Sequence, residues 1–300
     1  MIEVVRSGVN TWDCDQMGHM NVRHYFACAN RGHALLALEL GLPPSLLRAG
    51  GRALRTRDQH VRFVRELRPG VYYTLRAGLL SVSRERLNVY AQMDVLHTGE
   101  VAASVLSEVA LVDLASGREL PFPEQVLTRA QALMTTVPEA YAPRGVARGT
   151  PRTPPRREDA LARGMIGAYL GPVQAEDVDA SGAMTEAAFM ARVSDGIGHY
   201  FQALRGPRAQ GIGGAALEYR YVFHERPRVG DIIEVRSALK GIGGKTSHIC
   251  HWIFDVESGR CAATSEAVAV SFDLTTRKAI AIPDETRAHM ERMVVPDLSV

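Results

Sequence analysis

The chain has 300 residues, 46% of them hydrophobic and 23% charged, which allows two domains of about 150 residues with a core each. Its 35 basic and 33 acidic residues leave a net charge of +2, too balanced for a protein that lives on nucleic acid. No apolar run reaches about 18 residues and MIEVVRSGVN lacks the core of a signal peptide, so no membrane association is expected. The four cysteines, Cys14, Cys28, Cys250 and Cys261, form no CxxC pair, and a reduced, cytoplasmic protein is the expectation.

After a short first strand, Val22, Tyr25, Phe26, Ala29, Leu36 and Leu40 fall mostly three or four apart, a spacing that predicts one long helix. Gly41 and Pro43-Pro44 stop it. Segments near 57–64, 71–81, 87–96 and 101–114, rich in Val, Leu and Tyr and punctuated by Pro69-Gly70 and Thr98-Gly99, predict four antiparallel strands. Asp58, His60 and Arg62 alternate on the first of these and so share a face, read as turned to solvent rather than lining a cleft. Ser83-Arg84-Glu85-Arg86 forms a turn. The stretch 143–157, PRGVARGTPRTPPRR, has no apolar periodicity and reads as linker, which places domains at 1–140 and 161–300 with 141–160 between them.

The second half repeats the scheme. Phe189, Val193, Ile197, Tyr200 and Leu204 mark a helix with Thr185 as N-cap and Gly206-Pro207 as stop. Strands are expected near 214–224, 231–240, 247–256 and 261–274, and a short closing helix within 284–293. At an offset of 164 residues Asp13 falls on Asp177, Asp15 on Asp179, Gly18 on Gly182, Met20 on Met184 and Gly32 on Gly196. Further on, at an offset of 160, Phe63 falls on Phe223, Arg68 on Arg228, Gly70 on Gly230 and Gly99 on Gly259. A self-match over both halves means two copies of one domain. Strand, helix and four strands, twice over, define an α+β fold of two tandem hotdog domains, each a long helix wrapped by a curved antiparallel sheet. Such a chain supplies its own pairing partner as an intrachain pseudo-dimer, which covers sheet edges and leaves further homo-oligomerisation open.

Trp12-Asp13-Cys14-Asp15-Gln16-Met17-Gly18-His19-Met20-Asn21, with Tyr25 beyond, stands between the first strand and the first helix. It resembles the Asp-x-x-Gly-His-(Val/Met)-Asn…Tyr signature of the hotdog acyl-CoA thioesterases, including the 4-hydroxybenzoyl-CoA thioesterase group, and the two halves resemble its double-hotdog members. The resemblance implies hydrolysis of an acyl-CoA to free acid and CoA, with coenzyme A as part of the substrate and no cofactor or metal. The chemistry also follows from the residues. A carboxylate can attack a thioester or deprotonate water. Asp15 sits just before a helix whose free N–H groups and dipole favour negative charge, including that of a developing oxyanion. Gly18 permits a tight turn and close approach of the acyl group. His19 and Asn21 are candidates to orient water or the thioester, though Asn21 is equally a favoured N-cap. Tyr25 reads as pocket wall, and Asp13 as a residue that holds the loop.

The remaining candidates are second-tier. They are His60 and Asp58 on their strand, and Asp179 and Thr185, which are expected to cap the second helix because Ala183 replaces His19 there and Thr185 replaces Asn21. In related thioesterases the turn that carries Arg84 and Arg86 contacts the coenzyme phosphates, which implies the same role for these residues and for Lys245 in the matching turn. Gly241-Ile242-Gly243-Gly244-Lys245-Thr246 is not a nucleotide loop, because Leu239 occupies the place of its first glycine and a strand follows. His248, Cys250 and His251 do not make a metal site, since His251 points away from the other two along a strand. The rival readings are a hotdog enoyl-CoA hydratase-type enzyme and a non-catalytic binder of acyl-CoA or acyl carrier.

Overall fold

The computed structural model describes residues 1–205 and 211–300, the side chain of Arg205 excepted, and divides into two compact units, Met1–Pro143 and Arg144–Val300. The expected stop at Gly206-Pro207 lies outside the described residues.

The first unit runs β1 (Ile2–Gly8), α1 (Val22–Glu39), α2 (Pro44–Ala49), β2 (Arg52–Phe63), β3 (Tyr72–Val82), β4 (Leu87–Val95), β5 (Val101–Asp113), β6 (Glu119–Leu120) and α3 (Glu124–Ala130). Its antiparallel strands lie in the order β1-β3-β4-β5-β2, with β6 against β5. The stripe on α1 is buried at Tyr25, Phe26, Ala29, Gly32, Leu36 and Ala37. Each large apolar side chain removed from water there contributes about 1.5–3 kcal/mol. Gly32 sets the depth of the helix, because a Cβ would stand 2.9 Å from Val4 and 3.1 Å from Leu75. Pro43-Pro44 ends α1 as expected, yet Pro44 also opens α2, at a position where its missing N–H costs nothing.

The second unit runs α4 (Arg157–Ala162), β7 (Ile166–Pro172), α5 (Glu186–Arg205), β8 (Ile212–Phe223), β9 (Ile232–Ile242), β10 (Thr246–Asp255), β11 (Cys261–Asp273) and α6 (Asp284–Glu291). The strand order β8-β11-β10-β9-β7 repeats that of the first unit. A Cβ on Gly196 would stand 2.6 Å from the Ala168 carbonyl, so α5 meets β7 backbone to backbone, as only glycine allows. Both units are hotdog domains.

The stretch read as free linker is bound in place. Glu218 accepts the backbone N–H groups of Arg144, Gly145 and Val146 at 3.0–3.1 Å, and Arg220 donates to the carbonyls of Ala147 and Gly149. A single carboxylate gathering successive N–H groups makes a strong anchor. Part of the stretch is helical, since α4 begins at Arg157.

Candidate active site

The loop 13–21 is closed by its own backbone. The Asp15 N–H donates to the His19 carbonyl at 3.1 Å, the Gly18 N–H to Asp15 at 2.9 Å and the Asn21 N–H to Asp13 at 2.9 Å, with Cys14 bridged to Met20. Gly18 has φ +75°, the left-handed turn that glycine adopts without strain. Asp13 holds the loop as expected, its carboxylate accepting the Asn10 N–H at 2.8 Å. The Met20 N–H donates to the Leu67 carbonyl at 2.7 Å and so ties the loop to the segment after β2.

Within this frame the Asp15 carboxylate accepts the Met17 N–H at 2.8 Å and lies 3.9 Å from His19 Nδ1. His19 Nε2 is buried, makes no hydrogen bond, and lies 3.8 Å from Glu66 Oε1. Glu66 escaped the sequence reading; the one signal was that Arg226, of opposite charge, stands 160 residues on in an otherwise matching segment. Asn21 is the N-cap of α1: its Oδ1 accepts the Arg23 N–H at 3.0 Å and its carbonyl the His24 N–H at 3.0 Å. With the Asn21 N–H also engaged, Val22 carries the first-turn donor that is free among the described residues. Tyr25 is buried edge-on against Phe63, with ring centroids 5.0 Å apart. Burial pushes its hydroxyl well above the usual range, although a Leu67 backbone bond opposes this.

The counterpart loop has the same backbone bonds. Asp179 N–H donates to Ala183 at 3.0 Å, Gly182 to Asp179 at 2.8 Å, Thr185 to Asp177 at 2.9 Å and Met184 to Pro227 at 2.8 Å. Its chemistry differs. Asp179 accepts from Ser181 Oγ at 2.6 Å and the Ser181 N–H at 2.8 Å, so it braces the loop and does not cap α5 as expected. Thr185 is the cap, accepting the Ala188 N–H at 3.2 Å. Arg226 donates to the Met184 carbonyl at 3.1 Å and to Glu186 at 2.7 Å, and stacks 4.6 Å from the Phe223 ring centroid.

Three other groups stand elsewhere. Phe63 and Gln59 of β2 meet Tyr25 and Asn30 of α1, so Asp58, His60 and Arg62 face away from that helix. The solvent expectation for this face fails: Asp58 and His60 are 6% and 1% exposed. Arg62 donates to the carbonyls of Ala140 and Ala142. In the turn between β3 and β4, Arg86 is committed to Glu108 at 2.8 Å and Glu119 at 2.6 Å. Partial burial works against the Glu119 charge, but Arg86 and Arg57 hold its carboxyl below the usual range. Arg84 is exposed and lies 3.4 Å from Glu124, while Lys245 donates to the Ala279 carbonyl at 3.0 Å. His251 is buried, bonded through Nδ1 to Ser237 at 2.8 Å, and among the described residues no three His, Cys, Asp or Glu side chains are grouped to hold a metal ion. A cleft of about 560 Å³ in the second unit, lined by Arg226, Arg228, Arg260 and Glu225 among others, borders the counterpart loop, not Asp15.

The sequence profile of the thioesterase-like superfamily matches residues 9–130 and again 173–290, once in each unit, and the chain belongs to that superfamily. It is a thioester hydrolase by family. A betainyl-CoA thioesterase of Pseudomonas aeruginosa is 30% identical over 136 residues, 45% of this chain and 84% of that protein. Among solved structures, a 12:0-ACP thioesterase from Umbellularia californica has a TM-score of 0.67 at 9% identity, over 89% of this chain and 93% of that one. An acyl-ACP thioesterase from Bacteroides thetaiotaomicron has 0.65 at 9% identity, over 88% and 96%. At these identities the likeness to the solved structures is one of fold. No helix among the described residues is long and apolar enough to cross a membrane.

Proposed function

We propose that the protein hydrolyses an acyl-CoA to free acid and coenzyme A, and that the working site is the Asp15 loop of the first unit. The observation that carries this is the inequality of two loops with one backbone: Asp15 accepts the Met17 N–H and has an imidazole 3.9 Å away, whereas Asp179 takes both the hydroxyl and the N–H of Ser181 on one oxygen and has Ala183 in place of the histidine. Coenzyme A is favoured over an acyl carrier by the betainyl-CoA thioesterase relative.

As general base, Asp15 takes a proton from water while the water oxygen bonds to the thioester carbon. The carbonyl electrons move onto oxygen, where the Val22 N–H and the end of α1 stabilise the charge. When the carbon–sulfur bond breaks, the coenzyme thiolate receives the proton and the acid departs. As nucleophile, Asp15 displaces the coenzyme thiolate to form a mixed anhydride, which water then cleaves to the free acid and the Asp15 carboxylate, the released proton going to the thiolate; both routes need the same carboxylate. No cofactor or metal enters either route, and the free, mostly buried cysteines suit a reducing cytoplasm. Of the turn residues, Arg84 is the best placed to meet coenzyme phosphates, because Arg86 would have to leave two carboxylates.

A panel of acyl-CoAs varied in length and polarity, scored by thiol release, tests the reading. Release from saturated acyl-CoAs is expected and excludes a hydratase. Binding without release from any member would overturn the proposal in favour of a carrier.

A further inference from the structure

We infer that Glu66 is a positioning residue for His19, setting which ring nitrogen carries the proton beside Asp15; the inference rests on the Asp15 reading above. The imidazole lies between two carboxylates, with Nδ1 3.9 Å from Asp15 and Nε2 3.8 Å from Glu66. Nε2 is buried and makes no hydrogen bond, a state that costs free energy unless a nearby acceptor closes on it. His24, the next imidazole, is associated with Asp13 at 3.8 Å, so the charged groups at His19 are Asp15 and Glu66.

The segment that carries Glu66 is held to this loop. The next residue, Leu67, accepts the Met20 N–H and also has a backbone bond to the Tyr25 hydroxyl. Glu66 also lies 3.8 Å from Arg68, but that pair is well exposed and worth little.

The repeat supplies an independent argument. Where the first unit has His19, Val22 and Glu66, the second has Ala183, Glu186 and Arg226. The carboxylate and the imidazole disappear together, and the arginine that replaces Glu66 binds Glu186 and the Met184 carbonyl instead. That joint loss is expected if the work of Glu66 is done through His19. With Glu66 accepting from Nε2–H, the neutral ring presents an unprotonated Nδ1 to Asp15. Once Asp15 has taken the proton of water, it can donate to that nitrogen, which keeps the proton near for the leaving thiolate. Without Glu66 the ring is free to adopt the other tautomer, whose Nδ1–H points at Asp15 and cannot accept the proton in this transfer.

The test compares Glu66→Gln, Glu66→Asp, His19→Ala and Glu66→Gln with His19→Ala in the full chain. Glu66→Gln should lower kcat about tenfold to a hundredfold, leave KM and Tm nearly unchanged, and be partly rescued by Glu66→Asp. In the His19→Ala background it should have no further effect. Nitrogen spectra of the His19 ring read the same point without turnover: an Nε2-protonated ring in the wild type, and a tautomer mixture in Glu66→Gln. An unchanged kcat in Glu66→Gln, an equal loss with and without His19, or an identical ring spectrum would overturn the inference. If Asp15→Asn keeps full turnover, the functional reading itself has failed; if Asp15→Asn is inactive and Glu66→Gln is not impaired, only this inference has.

Discussion

Loops 13–21 and 177–185 share their backbone bonds almost one for one, yet the first sets an imidazole beside its aspartate and the second a serine hydroxyl. The scaffold is set by Gly18 and Gly182, both with φ near +75°, and by Asp13 and Asp177, which brace the preceding turn at 2.8 and 2.9 Å. The residues that project from the scaffold are free to change, and they change in matched sets. Arg65 pairs with Glu100 in the first unit, and Glu225 with Arg260 at the equivalent place in the second, the same bridge with its polarity reversed. Fold and chemistry thus separate cleanly within one chain.

The largest effect that separates the two loops concerns stability. Arg226→Ala leaves Glu186, 8% exposed, without its guanidinium partner, and should destabilise the second unit by about 3–5 kcal/mol. The matching change, Glu66→Ala, should leave the melting temperature almost unmoved. Calorimetry on both variants checks the pair, and equal losses would mean that the first loop is as structural as the second.

Next in size is His19→Ala, expected to lower kcat about a hundredfold with intact folding, as thiol-release kinetics would record. An unchanged kcat would reduce His19 to a loop residue like Ala183.

Burial also gives the second unit a pH response. Burial lowers His251 to about 3 and His224 to about 4, whereas an unfolded chain titrates near 6.5. The unfolded state therefore takes up protons first, and stability falls as pH drops below about 6.5. Trp252, buried in this unit, reports its unfolding: its urea midpoint should be lower at pH 5 than at pH 7.5. A flat profile would contradict the buried neutral rings.

The smallest effect is on binding. Arg84→Ala should raise KM about two- to fivefold with kcat kept, since an exposed ion contact is worth little, and the effect should vanish on a pantetheine thioester. Arg86→Ala should act on stability through Glu108 and Glu119 instead.

What the sequence made legible follows from the range over which each signal acts. The Val-, Leu- and Tyr-rich segments located the four long strands of each unit but not the two-residue β6, and β2 begins at Arg52, earlier than expected, because residues 52–56 pair with 109–113. The Asp15 loop was legible because its residues are contiguous and repeated. Glu66 was not, since it reaches His19 across 47 positions of chain. Arg86 looked free because Glu108 and Glu119 come from β5 and β6, and Asp58 and His60 looked exposed because one alternating face carries no sign of what covers it.

The claim that hydrolysis belongs to the first unit is tested most directly by thiol release from Asp15→Asn and Asp179→Asn, assayed side by side at saturating acyl-CoA. Asp15→Asn should lose on the order of a thousandfold in kcat, and Asp179→Asn should retain turnover with a modest fall in Tm as the Ser181 bonds weaken. A greater loss of kcat from Asp179→Asn than from Asp15→Asn would place the chemistry in the second unit and contradict the account.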